Sequence, residues 1–275
     1  MKLTVLGGSG AWPTAEEACS GFLVEHDGFR LLMDVGYATL PRLLGLPAAD
    51  RTPAGLGTTG SRDTTHGQGS TGGGMTAGQV DAVLISHGHP DHCADLNPLL
   101  RARTYCAEPA PPLPVYTLPG ALDAVLALDR PGMLDDAYVL HDFQAGDRFE
   151  VGPFTVGTRL LPHSVPNAGL RLTAGGRTLT YTGDSGPSPE VVTLARDADL
   201  LVAEATFLDP PPGDAARYLG NARQAGSQAA QAGAARLLLT HLQPGTDPDR
   251  ARETAAGTFP GRVGVASGGL TVDLG

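Results

Sequence analysis

The segment Ser86-His87-Gly88-His89-Pro90-Asp91-His92 gathers three imidazoles and a carboxylate into six residues, directly after the apolar run Val80-Asp81-Ala82-Val83-Leu84-Ile85. Imidazole nitrogens and carboxylate oxygens are the donors that a borderline divalent cation such as zinc accepts. Four such donors packed this closely cannot all serve one tetrahedral ion that also keeps an open catalytic position. They are more naturally shared between two neighbouring ions.

Three later segments also place a donor where an apolar strand runs into a loop. They are Leu161-Pro162-His163-Ser164-Val165-Pro166, Tyr181-Thr182-Gly183-Asp184-Ser185 and Leu238-Leu239-Thr240-His241-Leu242. Strand ends are rigid and the loops beyond them can face a cleft. A lone histidine such as His163 is more often a satisfied structural residue, but the joint occurrence, in order and each after a strand, points to a metal site. Three histidines fit no such slot: His26 in a turn, His66 in a Gly-rich stretch and His141 at a strand edge. Asp34 closes the run Leu31-Leu32-Met33 and suits either a turn cap or a partner for the far nitrogen of a ligand histidine. Glu204 leaves the buried run Leu201-Val202-Ala203 near the same cleft, where a carboxylate can orient a catalytic group.

The elements that must position these residues can be read from periodicity and turn residues. Strand-like runs cover 2–6, 21–25 and 30–34, the last two joined by the tight turn His26-Asp27-Gly28. A short helix is predicted at 38–44. From 47 to 78 the chain is rich in Gly, Thr and Ser without periodicity, and reads as a flexible surface insertion or, in a sharper reading, a lid. A helix is predicted from Asp91 or His92 to about Thr104, then a linker over 109–114, a strand at 115–117 and a helix at 120–128. A strand-rich block runs from 138 to 182, with a hairpin turning at Gly175-Gly176. Strands at 200–203, 236–240, 263–266 and 270–274 then enclose helices near 222–232 and 247–256.

The 275 residues can build one large domain or two moderate halves, and 41% hydrophobic with 17% charged residues describes a soluble globular protein. No run approaches the ~18 apolar residues of a membrane span. The first residues lack the apolar stretch of ~7–15 residues that a signal peptide needs, so a cytoplasmic location is expected. Cys19, Cys93 and Cys106 are odd in number and imply no disulfide framework; Cys93, beside His92, reads as a small buried residue rather than a ligand. The net charge of −10 counts against binding an extended polyanion.

The H-x-H-x-D-H pattern and the segments that follow it resemble the metallo-β-lactamase superfamily of hydrolases. The resemblance implies a four-layer αββα sandwich over residues 1–275 as a single domain, a fold that the strand order permits. It also implies the ligand sets. His87, His89 and His163 would hold one ion, Asp91, His92 and His241 the other, and Asp184 would bridge them. Two Zn²⁺ ions are expected, with Mn²⁺ or Fe as alternatives. Within the superfamily the chain is most similar to the ribonuclease Z-like branch, through Leu6–Gly10, His163-Ser164-Val165-Pro166, Tyr181–Asp184, Glu204-Ala205-Thr206-Phe207 and Leu239-Thr240-His241. A homodimer is common in that branch.

Two features depart from the tRNA 3′-processing enzymes. The histidine that pairs with the glutamate there is matched here by Asn221, which cannot shuttle a proton at neutral pH. The Gly/Pro-rich arm that clamps tRNA has no counterpart between Asp91 and His163. The expected function is therefore a dinuclear hydrolase of small phosphodiesters, with a water activated between the ions as nucleophile, Asp91 orienting or deprotonating it, and Glu204 assisting. Folded tRNA is not expected as a substrate. Lactone, thioester or carboxylic ester hydrolysis on the same centre is the alternative, and a metal-binding protein without catalysis is the reading from a different class.

Overall fold

The structure, a computed structural model, describes residues 1–47 and 74–275. Residues 48–73, most of the segment read from sequence as an insertion or lid, and His66 with them, lie outside the described residues. Pro47 and Gly74, the described residues on either side, form an isolated antiparallel bridge.

Two seven-stranded mixed sheets lie face to face. The first has strands β1 (Lys2–Gly7), β2 (Gly21–His26), β3 (Phe29–Val35), β4 (Ala82–Leu84), β5 (Leu113–Thr117), β6 (Tyr138–Asp142) and β14 (Thr271–Asp273), in the order β14-β1-β2-β3-β4-β5-β6. The second runs β13-β12-β11-β10-β9-β8-β7, from β7 (Arg148–Val151), β8 (Phe154–Leu161), β9 (Asn167–Ala174), β10 (Arg177–Tyr181), β11 (Leu200–Glu204), β12 (Arg236–Thr240) and β13 (Arg262–Val265).

Both faces of the central strands are buried, which is why they read as unbroken apolar runs rather than alternating ones. Phe22, Leu31, Met33 and Leu84 point into the core between the sheets, with Leu170, Val202 and Leu238 opposite them. The intervening Leu23, Leu32 and Val83 face the outer layer formed by helices α1 (Thr39–Leu44) and α3 (Leu96–Thr104). Leu201, Leu237 and Leu239 face the other outer layer, helices α6 (Ala222–Ala232) and α7 (Pro248–Ala256). The inward face of α6 is Ala222, Ala225, Gly226, Ala229 and Ala232. These small residues let α7 approach closely, since a Cβ on Gly226 would lie 2.4 Å from the Ala255 carbonyl oxygen. The expected αββα layering is thus present.

The helix expected from Asp91 or His92 to Thr104 is two: α2 (Pro90–Cys93) and α3. The break has a cause, because the Asp95 N–H leaves the helical ladder and donates to the Val35 carbonyl at 2.9 Å. The Asp95 carboxylate in turn accepts the Leu40 N–H at 2.8 Å, tying α1 to this joint. The helix expected over 120–128 shortens to α4 (Asp123–Leu126), and α5 (Pro189–Leu194) was not foreseen.

Candidate metal centre

The strands that deliver the donors end at one rim. β10, β11 and β12 are parallel, and β8 shares their direction because both it and β10 run antiparallel to β9. His163, Asp184, Glu204 and His241 therefore emerge together from the second sheet. In the first sheet β3 and β4 are parallel and bring Asp34 and the His87–His92 turn to the same place. The Ala168 N–H donates to the Ser86 carbonyl at 3.0 Å and joins the two rims. Asp34 and His241 adopt left-handed backbone angles, φ 54° and 58°. Non-glycine residues held there cost about 1–3 kcal/mol, a strain that concentrates at functional sites.

All seven candidate donors meet. His87, His89, His163 and Asp184 form one cluster and Asp91, His92, Asp184 and His241 the other, with the donor atoms of each within 4.8 Å of one another. Asp184 belongs to both. Its carboxylate lies 3.1 Å from His92 Nε2, 3.3 Å from His241 Nε2 and 3.8 Å from both His87 Nε2 and His163 Nε2. His89 turns the opposite nitrogen inward: its Nδ1 is 3.2 Å from His87 Nε2 and 3.0 Å from His163 Nε2. Asp91 Oδ2 is 3.1 Å from His241 Nε2 and accepts the Ala11 N–H at 2.8 Å, while no hydrogen bond among the described residues engages Oδ1.

This donor set fits divalent ions. His92 Nε2 and Asp184 Oδ1 are buried 3.1 Å apart, and among the described residues neither makes a hydrogen bond. Buried polar atoms without partners are rare and call for something that binds them. Three imidazoles with a carboxylate, and two imidazoles with two carboxylates, match zinc-type coordination.

The charges are arranged to the same end. Burial opposes ionisation of Asp184, but His241 and His92 outweigh it and hold the carboxyl well below its usual range. Burial likewise opposes charge on Asp91, and the His241 hydrogen bond with the neighbouring imidazoles prevails. His92 and His241 are raised, since Asp184 outweighs their burial, helped by Asp34 and Asp91 respectively. His87 falls well below the ordinary value through burial and the proximity of His92. His89 falls through burial and the proximity of His163.

Supporting contacts hold the rings. Asp34 is fully buried and its Oδ2 accepts from His92 Nδ1 at 2.7 Å and from the Tyr181 hydroxyl at 2.8 Å. His163 Nδ1 lies 2.9 Å from the Tyr218 carbonyl oxygen. Glu204 stands behind His241. Its oxygens accept from the backbone N–H groups of Ser185, Thr206 and Gly220 and from the Thr206 hydroxyl. Burial, then Asp184, push the Glu204 carboxyl up to about 7. Asn221 is a helix cap, its side-chain oxygen accepting the Gln224 N–H at 3.0 Å.

Sequence reasoning did not find Thr206, Ser86, Tyr181 or Ala11. The available signal was positional, a hydroxyl one residue before a ligand histidine and another two residues after the glutamate. Cys93 is no donor to either cluster, because its thiol faces the His89 and Gly88 carbonyls at 3.4 and 3.7 Å. His141 lies away from the site and stacks on Tyr116 with centroids 4.7 Å apart.

The chain resembles known proteins in sequence and in fold. A family model described as the beta-lactamase superfamily domain matches residues 61–242. A Bacillus subtilis protein named "Probable metallo-hydrolase YhfI" is 31% identical over 98% of both chains. The crystal structure of YhfI superimposes with a TM-score of 0.80 over 98% of each chain. A ribonuclease Z of Methanopyrus kandleri is 30% identical over 99% of this chain and 97% of its own. The short form of human tRNase Z, at 21% identity, shares the fold over the full length of both chains, with a TM-score of 0.74. Among the described residues no helix is long and apolar enough to cross a membrane. With the αββα sandwich, two His/Asp clusters and these matches in place, the chain belongs to the metallo-hydrolases of the β-lactamase superfamily.

Proposed function

We propose that the chain is a dinuclear metal-dependent hydrolase of small phosphodiesters. His87, His89 and His163 hold one ion, Asp91, His92 and His241 the other, and Asp184 is shared. The observation that carries the reading is that one buried carboxylate, Asp184, belongs to both clusters. Two divalent ions bound there, Zn²⁺ first and Mn²⁺ or Fe as alternatives, would supply Lewis acidity toward a phosphoryl oxygen and a water of lowered pKa.

The chain's own residues do the rest. Among the described residues no hydrogen bond engages Asp91 Oδ1, so this oxygen can orient the attacking water. Deep burial of His87, His92 and Asp184 keeps bulk water from the donors and strengthens every charge interaction among them. Glu204 acts from behind the site, positioning His241 through Thr206.

Several features support a small substrate. The likeness to a ribonuclease favours phosphodiester chemistry. The net charge of −10 repels a polyanion at long range. Between Asp91 and His163 the chain forms α2, α3, β5, α4, β6, β7 and β8 with only short connections between them, leaving little length for a clamping arm. Two cavities of about 530 and 380 Å³ flank the His163 loop and share Val165 and Pro166, and the second reaches Gly88 between two ligands. No Lys or Arg lines either among the described residues. The lack of a cationic side chain there, with Glu190 and Asp123 in the linings, also favours a second reading, hydrolysis of an uncharged lactone, thioester or carboxylic ester.

A panel of nitrophenyl phosphodiesters and nitrophenyl carboxylic esters, assayed with Zn²⁺ or Mn²⁺, tests the proposal. Phosphodiester turnover that is lost on chelation and restored by metal is expected. Turnover of the esters alone selects the second reading. No turnover by protein carrying two ions reduces the chain to a metal-binding role.

A further inference from the structure

The imidazoles differ in how the nitrogen facing away from the cluster is held. His92 Nδ1 meets a carboxylate directly and His163 Nδ1 meets a backbone carbonyl. His87 and His241 do neither. His87 Nδ1 lies 3.0 Å from Ser86 Oγ, and the Ser86 hydroxyl donates to Asp34 Oδ2 at 2.7 Å. His241 Nδ1 lies 2.8 Å from Thr206 Oγ1, and the Thr206 hydroxyl donates to Glu204 Oε1. The same imidazole–hydroxyl–carboxylate chain thus occurs twice, once at the end of β4 and once beyond β11, one in each cluster.

The polarity of both chains is fixed by counting protons. The partners of Asp34 are all donors: the Ser86 N–H and hydroxyl, the Tyr181 hydroxyl and His92 Nδ1. The partners of Glu204 are likewise all donors: three backbone N–H groups and the Thr206 hydroxyl. In its ionised form, which the N–H donors on both oxygens of Glu204 favour against burial, each carboxylate acts as an acceptor alone. A hydroxyl has one proton to give, and giving it to the carboxylate leaves its oxygen to accept from the ring. The ring proton must then sit on Nδ1, and Nε2 presents a bare lone pair to the cluster. Both hydroxyls are buried, Ser86 at 0% and Thr206 at 8% exposure, so water does not compete for these bonds.

We propose that Ser86 and Thr206 are positioning residues, one for each ion, whose hydroxyls relay from Asp34 and Glu204 to hold His87 and His241 as Nε2 donors. The proposal rests on the dinuclear reading above and adds to it that the two ions can be weakened independently. Contacts of this outer kind change metal affinity by about 10–100-fold when removed.

The test is stepwise Zn²⁺ titration of chelator-stripped protein against a chromophoric competitor. His89→Ala and Asp91→Asn serve as references that identify which binding step belongs to which cluster. Ser86→Ala is expected to weaken the His87 step by about 10–100-fold and leave the other within threefold. Thr206→Val, which keeps the shape and removes the hydroxyl, should do the reverse, and Thr206→Ser should restore the His241 step. If both variants weakened the same step, or neither weakened any step beyond threefold, the relays would be refuted. Should a variant fail to fold, the wild type still decides. ¹⁵N NMR of Zn²⁺-loaded protein must show the ring protons of His87 and His241 on Nδ1, and finding either on Nε2 overturns the proposal. A wild type that binds a single ion sinks the dinuclear reading. Two ions bound with both relay variants unaffected sinks only the relays.

Discussion

Replacing Asp184 with Asn keeps the size of the side chain and removes one negative charge from the point where the clusters meet. Asp184 is only 3% exposed, and four imidazole nitrogens lie 3.1 to 3.8 Å from its oxygens. Among the seven candidate donors only Asp91 and Asp184 carry negative charge to set against two dications. At about 4 Å and an effective dielectric of about 20, one pair of unit charges is worth about 4 kcal/mol. A carboxylate shared by two dications faces four such unit interactions. If desolvation and relaxation cancel three quarters of that sum, about 4 kcal/mol survives, roughly a thousandfold in affinity. Chelator-stripped Asp184→Asn, titrated with Zn²⁺ against a chromophoric competitor, should take one ion tightly and the second about a thousandfold more weakly than wild type. Turnover should be lost while the near-ultraviolet circular dichroism stays native. Uptake of two ions, each within tenfold of the wild-type affinity, would refute the bridging role.

Two further outcomes follow from the same geometry. His141→Ala removes an exposed ring that stacks on Tyr116, so turnover and Zn²⁺ uptake should stay within twofold, and urea unfolding should show a loss below about 1.5 kcal/mol. In stripped protein Asp184 raises His92 and His241 against the pull of burial, so these rings hold protons to a higher pH than free imidazole and Zn²⁺ must displace them. Loading at pH 7 in weak buffer should therefore release protons to an indicator dye, and affinity should fall as pH is lowered. Loading without proton release contradicts the assignment of these two rings as ligands.

The donors were legible because their chemistry is distinctive and each stands where an apolar strand ends. The sheets were legible for a related reason: runs such as Leu31-Leu32-Met33 and Leu237-Leu238-Leu239 are apolar on successive residues because both faces of their strands are covered. What stayed hidden depends on contacts between residues far apart in the chain. Nothing in the periodicity of 91–104 shows that the Asp95 N–H will leave for Val35 and split the helix. α5 buries only Val191 and Leu194, too little for a periodic signal. Ser86 and Thr206 carry the commonest of polar groups, and only the folded chain shows which imidazole and which carboxylate each one joins. Tyr181 is hidden in the same way, because its hydroxyl crosses from the second sheet to Asp34 in the first.

The surroundings of Glu204 decide what kind of leaving group this centre can expel. The resemblance places a proton-carrying histidine opposite the glutamate, and this chain has Asn221. In the structure Asn221 is committed elsewhere: its oxygen caps α6 through Gln224, a bond worth about 1 kcal/mol to the helix. Glu204, although pushed up to about 7, is buried with both oxygens taken by donors from Ser185, Thr206 and Gly220, so it offers a leaving oxygen no accessible proton. The Asp91 carboxyl is held well below its usual range and carries no proton to donate at neutral pH. An alkoxide must therefore depart with little protonation, whereas nitrophenolate needs none. Across phosphodiesters of rising leaving-group pKa, kcat should fall steeply for the wild type, and precursor tRNA, with its ribose leaving group, should turn over slowly. Asn221→His should flatten that slope by helping poor leaving groups more than good ones, as general acid catalysis requires. A shallow slope in the wild type, or efficient and correctly placed cleavage of precursor tRNA, would mean that a proton donor acts from another quarter and that the loss of the histidine carries no mechanistic weight.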